Sequence, residues 1–219
     1  MNKHIYFTLL LIIISFLSCK NYEYRCSTNT ISDNDKKLKK QKIDSINNRI
    51  IEKSLIIEKE IRKHFNYLEQ FQNLLPPEIG DKYYDFSGVN SNGEFMKISD
   101  IKGKYILLKF TGTGCGACVK SIPELKRVYE KYHKSLEIVN FYADLRVYDW
   151  LKYVEKEKIS WLTLCDGRGM NSYTWANYGI RGIPTFYLIN KKGIIVKKWI
   201  GYSYGQIEEQ IKLIIENNN

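Results

Sequence analysis

The chain has 219 residues, the length of one domain with additional segments or of two small domains. Hydrophobic residues make up 44% of it and only five residues are Cys, which excludes a disordered chain and a small disulfide-stapled scaffold. The net charge is +10, but from residue 76 onward 21 basic and 16 acidic residues are interspersed. A nucleic-acid-binding protein concentrates basic residues on one face, so we expect no nucleic-acid partner.

Residues 1–18 carry the features of an export signal peptide. A short basic segment precedes an apolar run of about 13 residues that ends at Leu17, whereas a bilayer-crossing helix needs about 20. Ser18 and Cys19 follow, an ending that resembles the lipobox of bacterial lipoproteins. The resemblance implies that Cys19 is lipidated and that the exported protein is anchored to a membrane, facing the periplasm or the cell exterior. An uncleaved anchor and an ordinary secreted protein are the alternatives, and all three permit disulfide chemistry.

Residues 19–42 are polar and are predicted to form a lipid-anchored flexible tether, because they contain too few apolar residues to fold alone. The alternative is that this segment binds anionic lipid beside the anchor, since lysines near a membrane surface contribute about 1 kcal/mol each. The basic residues concerned are Lys36, Lys37, Lys39, Lys40 and Lys42.

Residues 43–75 show the helical period and are predicted to form one amphipathic helix, from about residue 43 to 73. Pro76 and Pro77 end it. The helix either packs on the following domain or serves as a spacer. A homodimer through this helix stays open, although two charged residues interrupt the heptads. The apolar positions are Ile46, Ile50, Ile57, Ile61, Leu68 and Leu75.

Residues 76–219 alternate strand and helix patterns, which predicts an α/β domain with helices on both faces of one sheet. The first two strands flank a turn and form a hairpin. The predicted strands are 83–87, 94–98, 105–110, 136–142, 161–164, 185–189 and 194–199, and the predicted helices are 117–133, 150–157, 170–178 and 206–215.

The segment from Cys115 to Cys118 is a C-x-x-C motif that follows a strand and opens a helix. In an exported protein this placement indicates a redox pair, because the helix N-terminus stabilises a thiolate. We expect Cys115 to be the nucleophile and Cys118 to resolve the mixed disulfide. Haem attachment would need a His directly after the second Cys, where this chain has Val119. A zinc site would need further ligands, so no cofactor and no metal are expected. A purely structural disulfide is the remaining alternative.

Two motifs, in the right order and about 68 residues apart, resemble the thioredoxin family. Residues 105–120, with Pro123 inside the next helix, resemble its active-site strand and kinked helix, and residues 179–186 resemble its cis-proline segment. The elements between and before them are similar to the membrane-tethered TlpA/ResA-like thiol-disulfide oxidoreductases. Over about residues 77–217, the resemblance implies a thioredoxin-like fold: a central mixed sheet, helices on both faces and an N-terminal β-hairpin.

This resemblance implies an enzyme that exchanges thiols and disulfides through Cys115 and Cys118. It implies a cis peptide at Pro184, with Ile183 offering its backbone to an extended substrate. It also implies exported thiol or disulfide proteins as partners, such as apocytochrome c, and a membrane-embedded electron donor. The expected direction is reduction of the substrate.

The chain departs from the family pattern at two places. Gly114 stands directly before the first Cys, where many members have Trp, and Lys109 stands where thioredoxins keep a buried acid. A buried and charged Lys would favour a thiolate, whereas a neutral one would have lost its proton. Lys109 is therefore a candidate for proton transfer or pKa tuning, unless its side chain points to solvent. Glu94 and Asp144 are the candidate acids that could substitute.

The remaining cysteines carry no motif. Cys165 follows a short strand and is expected to be a small buried apolar residue. Cys26 lies in the tether, where a free thiol, an intermolecular disulfide and a bond to Cys165 are all open.

Two other functions stay open at this point. A thiol peroxidase on the same fold would place Thr or Ser three residues before its reactive Cys, where this chain has Gly112. A non-catalytic lipoprotein could bind peptides in the groove around Pro184, but it would need no reactive cysteine pair.

Overall fold

The computed structural model describes residues 33–64 and 75–216 of the chain. The predicted signal peptide, Cys19 and Cys26 lie outside the described residues. The chain divides into two units, residues 1–43 and 44–219, and all packing given below lies in the second unit. Within the described ranges, no helix has both the length and the apolar character needed to cross a bilayer.

The strands form one mixed sheet in the order β2-β1-β5-β4-β3-β6-β7. Strands β3, β4 and β5 are parallel, and β6 and β7 are antiparallel neighbours on one side. The β1–β2 hairpin pairs antiparallel with β5 on the other side. The strands are β1 Ser87–Asn90, β2 Phe95–Lys97, β3 Tyr105–Thr111, β4 Leu136–Tyr142, β5 Leu162–Cys165, β6 Thr185–Ile189 and β7 Ile195–Ile200.

Helices cover both faces of this sheet, as the thioredoxin-like fold requires. Two of them, α3 and α6, pack with alternate side chains of β3 and β4 on one face. Short helix α5 and its flanking residues pack on the opposite face. The helices are α1 Asp33–His64, α2 Gly116–Lys120, α3 Ile122–Tyr132, α4 Val147–Lys156, α5 Tyr173–Asn177 and α6 Gln206–Ile215.

Central strand β3 carries the motif to one end of the sheet. All seven of its residues are buried, which explains its nearly continuous apolar run. Its register aligns Lys109 with Asn140 on β4 and with Phe186 on β6. The C-x-x-C segment therefore begins just beyond the end of β3, next to the loop that leads into β6.

The apolar stripe of α1 packs on the domain, so this helix is not merely a spacer. Ile50, Ile57 and Ile61 are buried in a cluster with Trp150 and Leu151 of α4. The positions that a coiled-coil dimer would use are thus occupied within the chain.

Several element boundaries differ from the predicted ones. Helix α1 begins at Asp33, ten residues before the predicted start, so part of the predicted tether is helical. Residues 83–86, predicted as a strand, have no regular secondary structure. They contact the sheet through individual backbone hydrogen bonds, such as Tyr83 N–H to the carbonyl of Gly193. The predicted helix 117–133 is two helices, which meet at Ser121, just before Pro123.

Candidate active site

Cys115 and Cys118 form a disulfide at the N-terminus of α2. Cys115 is the N-cap residue and is partly exposed, whereas Cys118 is completely buried. This asymmetry leaves only Cys115 accessible to another protein.

A backbone amide supports the sulfur of Cys115. The N–H of Cys118 donates to Cys115 Sγ at 3.1 Å, because the capping residue leaves the first amides of the helix without partners inside it. In the reduced protein, the same hydrogen bond would favour the thiolate over the thiol. The local backbone therefore suits Cys115 to the attacking role.

The segment before β6 faces Cys115 from the adjacent strand. The Ile183–Pro184 peptide bond is cis, and the carbonyl oxygen of Ile183 lies 3.6 Å from Cys115 Sγ. Thr185 Oγ1 donates to the carbonyl oxygen of Gly182 at 2.6 Å. The N–H of Gly201 donates to the carbonyl oxygen of Pro184 at 2.7 Å. These bonds hold the loop against the cysteine pair.

Asp144 fixes the loop in front of Cys115 rather than standing free as an acid. Thr113 donates twice to its carboxylate, from Oγ1 at 2.6 Å and from the backbone N–H at 3.2 Å. Burial raises the pKa of Asp144, while the two bonds from Thr113 oppose that shift. The carboxylate thus ties the end of β4 to the loop that follows β3.

Lys109 points into the protein, not to solvent. Its side chain is 1% exposed, and its Nζ donates to the carbonyl oxygen of Cys118 at 3.2 Å and to Ser121 Oγ at 2.9 Å. Ser121 Oγ also donates to that carbonyl at 2.7 Å. Burial lowers the pKa of Lys109 from its ordinary value of 10.5 to about 7. The structure thus brings an amine that titrates near neutral pH to the underside of the motif.

Glu94, the other candidate acid, is not near this group of residues. It lies in the β1–β2 hairpin, where Asn90 Nδ2 donates to its carboxylate at 2.8 Å. Two strands separate β1 from β3 in the sheet order.

Glu124 is a buried carboxylate that the sequence reasoning did not identify. It accepts hydrogen bonds from Tyr202 Oη at 2.9 Å and from the backbone N–H groups of Gly205 at 3.0 Å and Glu208 at 2.9 Å. It therefore caps the N-terminus of α6 from α3. Its only sequence signal is a polar position on the apolar face of α3.

Cys165 is a free, completely buried thiol, as predicted. Burial raises its pKa to about 12, so it is unsuited to nucleophilic chemistry near neutral pH. In the described part of the chain, no group of three or more His, Cys, Asp or Glu side chains could hold a metal ion.

Comparison with known proteins identifies relatives over the same region. Residues 79–198 match the AhpC/TSA family. The thiol-disulfide oxidoreductase ResA of Bacillus thuringiensis subsp. konkukian is 31% identical over 139 residues, which cover 63% of this chain and 79% of that protein. ResA of Halalkalibacterium halodurans is 29% identical over 138 residues, which cover 63% of this chain and 77% of that protein.

Comparison with solved structures also identifies thiol-disulfide oxidoreductases. A thiol:disulfide interchange protein DsbE from Chlorobium tepidum matches with a TM-score of 0.57 and 28% identity, over 62% of this chain and 96% of that one. The C-terminal domain of a thiol-disulfide oxidoreductase from Bacteroides thetaiotaomicron matches with a TM-score of 0.59 and 27% identity, over 64% and 97%. With a cysteine pair joined by a disulfide at the end of the central strand, this chain belongs to the AhpC/TSA family and is a thioredoxin-like thiol-disulfide oxidoreductase.

Proposed function

We propose that the protein reduces disulfides of exported proteins, with Cys115 as the nucleophile and Cys118 as the resolving residue. The observation that carries the proposal is the unequal exposure of the two sulfurs: Cys115 is reachable and Cys118 is completely buried. A substrate disulfide can meet only Cys115, and only a residue already inside the protein can then displace the substrate.

The exchange takes two steps. The thiolate of Cys115, stabilised by the Cys118 N–H, attacks one sulfur of the substrate disulfide and forms a mixed disulfide. Cys118 then attacks Cys115, the bond to the substrate breaks, and the substrate leaves as a dithiol after taking up protons. The substrate gains two electrons and the cysteine pair is oxidised.

Ile183 and Pro184 form the proposed substrate-binding loop. An extended segment that bonds to the backbone of Ile183 would bring its own sulfur to Cys115, because the Ile183 carbonyl lies 3.6 Å from Sγ. Ile200 is 63% exposed and lies against Gly182, and Leu145, beside the loop-binding Asp144, is 69% exposed. We expect substrates to present apolar side chains near the reactive cysteine, as an unfolded segment does.

The location and partners rest on the sequence. Lipidation at Cys19 would anchor the protein on the outer side of a membrane, within reach of exported thiol or disulfide proteins such as apocytochrome c. Oxidised protein would then be reduced by a membrane-embedded donor. Relatives named thiol-disulfide oxidoreductases support the reaction class.

Trapping tests the roles of the two cysteines. Cys118→Ser should accumulate mixed disulfides between Cys115 and partner proteins, because the resolving thiol is gone. The matched control Cys165→Ser removes a buried thiol elsewhere and should trap nothing. If Cys118→Ser traps no partner and the purified protein reduces no disulfide, the proposed function is wrong.

Equilibration against glutathione tests the direction. A reduction potential of about −200 mV or lower supports a reductase, whereas a value near −120 mV overturns that assignment.

The anchor needs a separate test. Cys19→Ala should release the protein from the membrane fraction. A native protein that is already soluble and retains residues 1–18 would contradict lipidation.

A further inference from the structure

The end of the sheet opposite the cysteine pair contains a cavity lined by lysines. The cavity has a volume of about 210 Å³ and lies between the residues that lead into β3 and the turn that joins β6 to β7. Ile106, the second residue of β3, pairs with Ile189, the last residue of β6, so these two segments meet where β3 begins. The fold thus gathers basic residues that are far apart in the sequence. The lysines that line this cavity, here called the lysine cavity, are Lys82, Lys102, Lys104, Lys191 and Lys192.

The positive charge of the lysine cavity is not balanced by acids in its wall. Among the described residues, no Asp or Glu lines it. Lys104 has a partner, because its Nζ lies 3.3 Å from Glu137 Oε2. The other four lysines are exposed, and within the described ranges no carboxylate oxygen lies within 4.0 Å of their ammonium groups. Like charges around one cavity repel each other, so an anion bound there would relieve an electrostatic cost of the fold.

Two carboxylates stand near the cavity, but backbone groups hold them. Burial, and then the negative charges of Asp85 and Asp100, raise the pKa of Tyr83, a further lining residue. Asp85 accepts hydrogen bonds from the N–H of Ser99 at 3.0 Å and from Ser99 Oγ at 2.8 Å. Asp100 accepts one from the N–H of Lys97 at 2.9 Å. Both carboxylates are therefore directed to residues 97–99 rather than to the ammonium groups.

The backbone that carries the lysines has a defined conformation. Asn190 Oδ1 accepts hydrogen bonds from the N–H groups of Lys192 at 2.9 Å and Ile194 at 3.0 Å, which fixes the turn after β6. Gly103 stands between two of the lysines with a φ of +73°, which glycine adopts without strain. The cations are thus placed around the cavity before any anion arrives, which lowers the entropic cost of binding one.

We propose that the lysine cavity binds the phosphate headgroups of an anionic lipid surface. Each lysine near such a surface increases the affinity by a factor of about five. A nucleic-acid site would instead follow a long backbone with arginines and stacked aromatic rings. Among the described residues, no Arg lines the lysine cavity, and its one aromatic residue, Tyr83, lies against Gly193.

This contact would orient the reactive cysteine away from the membrane. Cys115 follows the end of β3 at Thr111, whereas the lysine cavity lies at the start of that strand, and the seven residues of β3 span about 23 Å. A molecule that rests on headgroups through the lysine cavity therefore presents Cys115 to proteins outside the membrane. The contact must also be reversible, because the proposed membrane-embedded donor needs the same cysteine.

Vesicle binding tests the proposal without the lipid anchor. The chain from residue 19 onward, with Cys19→Ala, should bind vesicles of equal parts phosphatidylglycerol and phosphatidylcholine more tightly than vesicles of phosphatidylcholine alone. Replacing three lysines of the cavity should weaken binding to the anionic vesicles at least tenfold, since a factor of about five for each gives roughly a hundredfold. The substitutions are Lys102→Gln, Lys191→Gln and Lys192→Gln.

A matched control removes the same charge from other exposed positions and should weaken binding less than about threefold. Its substitutions are Lys120→Gln, Lys126→Gln and Lys134→Gln. Equal weakening by the two sets, or no preference for the anionic vesicles, overturns the inference. The lysine run before Ile43 is intact in both variants, so binding that depends on that run alone leaves both unchanged and also overturns it.

Acetylation of lysines gives a test that needs none of these lysine substitutions. Anionic vesicles should protect Lys102, Lys191 and Lys192 from acetic anhydride, while Lys120, on α2 beside the cysteine pair, continues to react, as mass spectrometry would measure. Protection of Lys120 in place of the three cavity lysines would reverse the orientation and overturn the inference.

Two competitors distinguish the other sources of phosphate. Inorganic phosphate at constant ionic strength should not displace the protein from anionic vesicles, and displacement would assign the lysine cavity to free phosphate. A single-stranded oligonucleotide should bind more weakly than vesicles of the same phosphate concentration, and tighter binding would assign the cavity to nucleic acid. Either result overturns the lipid assignment. None of these measurements involves Cys115 or Cys118, so their outcome is independent of the proposed exchange reaction.

Discussion

Replacing Lys109 by Met should change how the stability of the oxidised protein depends on pH. The side chain is 1% exposed, and burial lowers its pKa from 10.5 to about 7. Between these two values, the unfolded chain binds more protons than the folded protein, so the free energy of unfolding rises with pH in this window. Below about pH 7, the full cost of burying the charge is present; above about pH 10.5, it is absent.

The size of the effect follows from the shift. A difference of 3.5 pKa units corresponds to roughly 5 kcal/mol over the whole window, of which about 2 kcal/mol falls between pH 7 and pH 9. Met has no titrating group, so Lys109→Met should lack this increase. The substitution does not leave the Ser121 hydroxyl without an acceptor, because Ser121 Oγ continues to donate to the Cys118 carbonyl.

Urea unfolding of the oxidised protein at pH 7, 8 and 9 measures the effect. We expect the stability of wild type relative to Lys109→Met to rise by about 2 kcal/mol from pH 7 to pH 9, while other titrating groups cancel in the difference. Lys120→Met, which removes an exposed lysine, should run parallel to wild type. Parallel curves for Lys109→Met and wild type would refute the conclusion that Lys109 is a buried amine with a lowered pKa.

Three other outcomes can be checked directly. Asp144→Asn should lower the free energy of unfolding in urea by about 1–3 kcal/mol, because one of the two acceptors for Thr113 is lost. Thr113→Val should lower it by a similar amount, and an unchanged stability in both variants would contradict the loop-anchoring role. Glu124→Gln should lower the melting temperature by several degrees, because an amide NH₂ would face a backbone donor at the start of α6, and an unchanged melting curve would exclude this cap. Cys165 should resist iodoacetamide at pH 8 in the folded protein and react in urea, as mass spectrometry would show; modification of the folded protein would disprove its burial.

The sequence predicts best those elements whose pattern depends only on their own residues. Strands β4 and β6 and helix α6 have the predicted bounds, because apolar runs and a clear helical period end at recognisable turns. The cysteine pair and its place at a helix N-terminus follow from local spacing in the same way.

Boundaries set by tertiary contacts were less predictable. The first hairpin strand lies at Ser87–Asn90, four residues later than predicted. The aromatic residues before it suggest a strand at 83–87, but the residues that pair with β2 and β5 are those of Ser87–Asn90. The early start of α1 at Asp33 likewise has no apolar signal in a lysine-rich stretch.

Buried charges depend on residues far apart in the chain, which explains why their roles were open. Lysine in an apolar strand is compatible with either face, and only the return of α2 over β3 brings the Cys118 carbonyl and the Ser121 hydroxyl to Lys109. Glu124 depends on donors about 80 residues later, so α3 alone gives no sign that its carboxylate is buried and bonded.

An amine beneath the cysteine pair has a different electrostatic effect from the acid that thioredoxins keep there. When protonated, a carboxylic acid is neutral, whereas Lys109 is a cation, held by the carbonyl of Cys118 and the hydroxyl of Ser121. A cation below the motif favours the thiolates of the reduced pair more than an acid would, and a more stabilised thiolate makes the pair a weaker reductant. If the protein works as a reductase, its advantage must then come from a donor that keeps the pair reduced rather than from an unusually low potential of Cys115 and Cys118.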